Sequence, residues 1–198
     1  MAFFIQKFYK PLNHFCHVSD VFTSEEVDKI IDLEDLQSFD SGRVGEGGPG
    51  REDPTQRQCD IMWINYDRMS EWLFAKFANL TSQVNQDHFL YDIELLENFQ
   101  YTVYRNKNDH YSWHMDVMPH YHPMERKISA SVLLSDPEDY DGGELDLIPN
   151  GSIENHMTFK PKKGDVVFFA SWMPHRVRPV TKGIRKSLVA WVMGKRSL

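Results

Sequence analysis

His114 and Asp116 stand two residues apart in the stretch YSWHMDV, residues 111–117, and His175 lies far along the chain in SWMPHRV. If YSWHMDV is a strand, side chains at i and i+2 leave the same face, so one strand delivers an imidazole and a carboxylate together. A second predicted strand opens at His175 and brings a third donor. Two histidines and one carboxylate on one side of an ion leave three positions open, the arrangement that suits Fe(II) and O2. Zinc prefers a closed tetrahedron or a single open position. HxD alone carries little weight. A chain with 9 histidines and 29 acids produces such tripeptides by chance, and His114 paired with Asp116 at a surface is the plainer reading of these letters. Alternation also turns Tyr111 and Trp113 to the face away from the ion.

A rival lies beside this pair. His120, His122 and Glu125 spell HxHxxE, which resembles the cupin metal motif, also housed in a jelly roll. The spacing before the Glu is shorter than usual there, and Pro119 and Pro123 interrupt a regular strand. His120 and His122 are therefore read as loop residues that meet substrate or solvent.

More weight comes from HRVRPVTKGIRKSLVAW, residues 175–191. Arg185 lies ten residues after His175, on the next predicted strand beyond the TKG turn. From there a guanidinium can share the ion's interior and grip a carboxylate bidentately. Ser187 falls on the same strand face and adds a hydroxyl. A buried arginine requires an anion, and 2-oxoglutarate provides one: its C1 carboxylate and keto oxygen chelate Fe(II) while its far carboxylate reaches Arg185. Without the three metal donors, Arg185 would read as an exposed member of a basic stretch with Lys182 and Lys186.

These residues need a scaffold that holds three separate segments together. After about residue 92 the chain becomes a series of short runs rich in β-branched and aromatic residues. They include LLENFQYTVY, KISASVLL, GELDLI, DVVFFA and KSLVAWVM, separated by turns such as NKND, PNGS and PKKG. Eight short strands without intervening helices predict a sandwich or jelly roll. Earlier, Thr23 and Glu26 form a capping box ahead of an apolar stripe, which predicts a helix over 24–36. IMWIN, residues 61–65, predicts a strand, and Leu73, Phe77, Leu80 and Val84 predict a helix over 68–86. The stretch 41–57, with five glycines and two prolines, is a long loop, either a lid or a surface excursion. The expected architecture is mainly β with N-terminal helices: one domain over 1–198, a helical part of about 1–90 packed on a double-stranded β-helix (jelly-roll) core of about 92–194.

Composition narrows the classes further. A chain of 198 residues with 41% hydrophobic and 26% charged residues suits one globular core. The net charge of −7 argues against a sequence-blind nucleic-acid binder. Two cysteines without a CxxC pair make a thiolate zinc site or disulfide framework improbable. The opening MAFFIQKFYKPLNHF does not read as a signal peptide, and no run reaches the ~18 apolar residues of a membrane helix. The expectation is a cytoplasmic protein.

HxD, GGEL, PxxGD, the second His and PVTxGxR occur in order, and together they resemble the Fe(II)/2-oxoglutarate dioxygenases of the prolyl 4-hydroxylase superfamily. LSDPEDYDGGEL (134–145) and the segment 161–191 are most similar to PKHD-type hydroxylases. The resemblance spans about residues 95–193 and implies Fe(II), 2-oxoglutarate and O2. It implies iron ligands at His114, Asp116 and His175, with Arg185 on the 2-oxoglutarate C5 carboxylate. It also implies Tyr104 lining the site and Trp191 near the substrate, while Gly142 and Gly143 serve a turn. Related halogenases lack the carboxylate ligand, so Asp116 favours hydroxylation. Where animal-type enzymes carry YLN this chain reads LLS, so Leu134 is expected to replace a tyrosine that helps hold 2-oxoglutarate, with Ser129 or Ser187 compensating.

The substrate implied is a prolyl residue of a protein or peptide, the alternatives being a small molecule such as a free amino acid. Nucleic-acid demethylation is disfavoured, because Trp191 stands where that branch repeats an arginine. A non-catalytic, cupin-like jelly roll would be expected to have lost a ligand or the arginine, and this chain has lost neither.

Overall fold

The computed structural model describes residues 13–36, 38–44, 50–117 and 123–196. In chain order the strands are β1 (Phe15–Val18), β2 (Asp40–Ser41), β3 (Arg57–Gln58), β4 (Asp60–Ile64), β5 (Leu95–Leu96), β6 (Phe99–Tyr104), β7 (His110–His114) and β8 (Met124–Leu133). They continue with β9 (Tyr140–Gly142), β10 (Leu145–Leu147), β11 (Met157–Phe159), β12 (Val166–Ala170), β13 (His175–Val177), β14 (Val180–Gly183) and β15 (Arg185–Lys195). Two α-helices, α1 (Ser24–Ile31) and α2 (Glu71–Val84), precede β5.

Helix α1 starts where the capping box predicts: the Glu26 amide donates to Thr23 Oγ1 at 3.2 Å, and the Thr23 amide to Glu26 Oε2 at 2.9 Å. The chain then tightens into a 3-10 turn, Asp32–Leu36, instead of continuing as α-helix. Helix α2 ends similarly, in a π-turn from Asn85 to Phe89 capped by Leu90 in the left-handed region.

The larger sheet has the order β1-β12-β8-β15-β6-β4-β2, with β5 also paired to β15. The smaller runs β11-β10-β13-β7-β3, and β9 pairs with β14. The fold is therefore mostly β. The N-terminal part is not only helical, however: β1 and β4 join the large sheet beside β12 and β6. Edge strands this short carry little periodicity, which is why β1, β2 and β3 escape a reading by pattern.

One face of the large sheet packs on α1 and α2. Val27, Ile30, Leu73, Phe77 and Phe89 meet Phe99, Tyr101, Ile128, Ala130, Phe168, Leu188 and Ala190 in a continuous apolar core. The other face looks toward the small sheet, and the two enclose a pocket of mixed polar and apolar lining.

Candidate metal centre

Strand β7 carries His114 and pairs antiparallel with β13, which carries His175, and the two residues lie directly opposite each other. The next pair in register is Val177 with Tyr111, so three steps along β7 match two along β13. This bulge inserts one residue between Tyr111 and His114 and brings both to the same side. The Tyr111 ring stacks on the His114 ring at 3.4 Å between centroids, with 13° between planes. The expectation that Tyr111 faces away from the ion is thus corrected; strict alternation fails at a bulge. Trp113 does turn outward, against His156 and Arg176.

Asp116 lies just past the end of β7. Its amide donates to Ser171 O at 2.9 Å, and Ser129 Oγ donates to its Oδ2 at 2.8 Å. The carboxylate is aimed by these bonds and not by strand geometry. His114 Nδ1 pairs with Ser112 O at 2.8 Å and His175 Nδ1 with Met173 O at 2.9 Å. Both Nδ1 atoms therefore carry the proton, and both Nε2 lone pairs are left for an ion. His175 Nε2 is 3.3 Å from Asp116 Oδ2, and His114 Nε2 is 3.7 Å from Oδ1. One donor atom from each residue falls within a 4.8 Å cluster, the one such group among the described residues.

Burial pushes the His114 pKa down to about 3, and His175 beside it adds to the effect, so the ring is neutral and able to ligate. Burial resists ionisation of Asp116, yet His175 and His114 hold its carboxyl well below the usual range. Two imidazoles and one carboxylate fit Fe(II).

The three donors open onto a cavity lined by Thr102, Tyr104, Ser131, Ser187, Val189 and Trp191 among others. Arg185 sits behind it, 2% exposed, its guanidinium 5.3 Å from the Tyr104 ring. Arg185 Nη1 donates to Ser187 Oγ at 3.1 Å. No carboxylate pairs with Arg185 among the described residues, and its Nε has no partner. Thr102 Oγ1 and Trp191 Nε1 are also buried without a hydrogen bond. A buried cation and two orphaned polar atoms around one cavity match an anionic, acceptor-rich occupant, as 2-oxoglutarate is. Gly143, at φ +66°, lets the β9–β10 turn press against this arginine: a Cβ there would lie 2.6 Å from Arg185 Cδ.

The structure thus brings together His114, Asp116, His175, Tyr104, Arg185, Ser187 and Trp191. Trp191 is clamped between Arg126, 3.9 Å from its ring, and Trp63. His120 and His122 lie outside the described residues. Leu134 belongs to the apolar core on the helix side, so it does not stand in for a tyrosine at the pocket; Leu133 shares the face of Ser129 and Ser131. Ser129 serves Asp116 and Ser187 serves Arg185. Arg57 and Gln100, which also line the cavity, escape the reading of the sequence. Carrying the alternation of Ile61 back through Cys59 to Arg57 would have placed that arginine on an inward face.

Residues 99–193 match the family described as the 2OG-Fe(II) oxygenase superfamily. The PKHD-type hydroxylase YbiX of Escherichia coli (strain SMS-3-5 / SECEC) is 30% identical over 184 residues, covering 89% of this chain and 76% of that protein. The similarity therefore extends into the N-terminal part, beyond the motifs. Among solved structures, a Pseudomonas putida prolyl-4-hydroxylase superposes with a TM-score of 0.69 at 22% identity, over 93% of this chain and 94% of the other. A Trichoplax adhaerens prolyl hydroxylase in complex with a hypoxia inducible factor peptide fragment gives 0.74 at 22%, over 91% and 83%. The viral collagen prolyl hydroxylase of Paramecium Bursaria Chlorella virus-1, in its 2OG complex, gives 0.69 at 18%, over 92% and 97%.

Proposed function

The chain belongs to the 2OG-Fe(II) oxygenase superfamily as a prolyl hydroxylase-like 2-oxoglutarate-dependent dioxygenase, and from that premise we propose that it hydroxylates a prolyl residue of a protein or peptide. In this proposal His114, Asp116 and His175 hold Fe(II). Arg185, with Ser187 and Tyr104, holds the far carboxylate of 2-oxoglutarate. Residues 1–198 act as one domain whose two facing sheets form a double-stranded β-helix.

The observation that carries this reading is the site itself: three metal donors that open onto one pocket, and behind its Ser187 wall a buried arginine without an anion. Fe(II), 2-oxoglutarate and O2 together supply the oxidising power for hydroxylation of an unactivated C–H bond, with succinate and CO2 as products. The protein's own residues position and desolvate. Ser129 and the Ser171 carbonyl fix Asp116. The Ser112 and Met173 carbonyls fix the tautomers of the two histidines. Phe169, Leu145, Val177 and Val189 line the cavity and limit water. Trp191, at the same cavity, offers an apolar face to a substrate.

The prolyl part of the proposal is supported by the hydroxylase relatives and by fold likeness to prolyl hydroxylases. Its test is succinate release measured over proline-containing peptides, free amino acids and oligonucleotides. Release stimulated by the peptides, with a mass gain of one oxygen on proline, is expected. Stimulation confined to free amino acids or oligonucleotides would contradict it. No helix among the described residues is long and apolar enough to cross a membrane.

A further inference from the structure

A second buried guanidinium faces the same cavity and has no role in the chemistry described above. Arg57, on β3, is 7% exposed. It lies 4.5 Å over the Tyr111 ring, the ring stacked on the ligand His114. Arg57 Nη2 donates to Gln100 Oε1 at 2.7 Å, Nε to Cys59 Sγ at 3.1 Å, and Nη1 to Arg43 O at 3.4 Å. All three acceptors are uncharged, burial raises the pKa of the Cys59 thiol, and no carboxylate pairs with Arg57 among the described residues. Asp60, the nearest acid in sequence, is engaged by Arg105 at 2.6 Å. Asp109 accepts instead from the Arg105 and Asn106 amides. One N–H on each terminal nitrogen of Arg57 is left over.

With Fe(II) and 2-oxoglutarate bound, the ion, Asp116, the cosubstrate and Arg185 sum to neutrality, both histidine ligands being neutral. Arg57 is the cation lining this cavity that remains without a direct ion pair, and a buried charge without a close partner is costly; the buried Asp109, on the far side of Cys59, is bonded to backbone amides and not to Arg57. Nor do the two arginines share one anchor. Arg185 lies beside Tyr104, and Arg57 is bonded to Gln100, four residues earlier on the same face of β6, about 13 Å along the strand. Arg57 is held from the other side by Gly42 and Arg43, and a Cβ on Gly42 would lie 2.7 Å from its Nε.

We propose that Arg57 is the substrate's anion anchor: the substrate carries a carboxylate, from a chain terminus or an acidic side chain, which Arg57 binds while the reacting carbon is presented to the metal. This rests on the oxygenase reading of the site and narrows its substrate class.

The test is calorimetric titration of the full chain loaded with Mn(II) and 2-oxoglutarate, using acid and amide pairs. N-acetylproline is set against N-acetylprolinamide, acetyl-Ala-Pro-Glu-amide against acetyl-Ala-Pro-Gln-amide, and both pairs are repeated with Ala in place of Pro. The first pair reports a terminal carboxylate and the second a side-chain one. At least one acid is expected to bind about 10- to 150-fold tighter than its amide, the range of a hydrogen bond to a charged group. Arg57→Gln should erase that preference and Arg57→Lys retain part of it, with 2-oxoglutarate affinity unchanged in both. A wild-type chain in which no acid outbinds its amide overturns the proposal, whether or not the variants fold. So does a preference that survives Arg57→Gln, or an Arg57→Gln chain that loses 2-oxoglutarate affinity instead. If only the prolyl reading is wrong, the acid preference appears equally in the alanine compounds and still depends on Arg57. If the cosubstrate reading is wrong, 2-oxoglutarate fails to bind the Mn(II)-loaded wild type.

Discussion

Strand β6 turns Phe99, Tyr101 and Val103 toward the helices and Gln100, Thr102 and Tyr104 toward the pocket. Strands β8 and β15 do the same: Ile128, Ala130, Val132, Leu188 and Ala190 on one side, Ser129, Ser131, Arg185 and Ser187 on the other. Both faces are buried, but they differ in what burial does. On the helix face the contacts are mainly apolar, the Tyr101 hydroxyl donating to Glu34 being the exception, and burial stabilises. On the pocket face the same strands bury a guanidinium and hydroxyls, of which Ser129 contacts only the Ser171 hydroxyl and a ligand carboxylate, and Thr102 contacts no partner. The helix face supplies stability, and the pocket face holds groups whose partners arrive with the ligands.

Substitutions on the two faces should separate these roles. Phe77, packed edge-on to Phe99 and tilted against Phe168, is the strongest test of the helix face. Phe77→Ala is expected to cost about 3–5 kcal/mol, read as a lower denaturant midpoint, with 2-oxoglutarate affinity of the remaining folded protein unaltered. Arg185→Ala should do the reverse. Its 2-oxoglutarate requirement should rise on the order of 30- to 1000-fold, as expected for loss of one partner of a buried charge pair. Its midpoint should fall less than that of Phe77→Ala. Equal stability losses at the two positions would break the distinction.

Gly143→Ala places a methyl against Arg185 at a positive φ. It should cost about 1–2 kcal/mol in backbone strain and also weaken 2-oxoglutarate, an effect no simple turn substitution would produce. Thr102→Val is the smallest and most discriminating change. Replacing an orphaned buried hydroxyl by an isosteric methyl should raise the stability of the ligand-free chain by about 1 kcal/mol. A loss of similar size, measured by urea titration, would mean that the hydroxyl is already satisfied.

Much of the pocket was legible in the sequence because its chemistry is written in residue type. His114, Asp116, His175 and Arg185 converge as the motif order implies, and Ser187 meets Arg185 as strand parity requires. Parity misled where the backbone is irregular: the bulge in β7 moved Tyr111 onto the ligand face, and Asp116 reaches the centre from beyond the strand end. The expectation at Leu134 was one residue out of register: Leu134 faces the helices, and Leu133, the first residue of LLS, shares the pocket face of Ser129 and Ser131. Arg57 was overlooked because it ends a glycine-rich loop, where a charged residue reads as solvated. Its pairing with Tyr111 across β3 and β7 brings it inside, on the face that alternation from Ile61 also indicates.

The central claim is that His114, Asp116 and His175 form one metal site onto which the pocket opens. Anaerobic addition of Fe(II) and 2-oxoglutarate tests it directly, by the weak visible absorption of the chelate. The wild-type chain should develop this band and His175→Ala should not, while Phe77→Ala, damaged only on the opposite face, should keep it. A band that persists in folded His175→Ala protein would remove His175 from the ligand set and contradict the account.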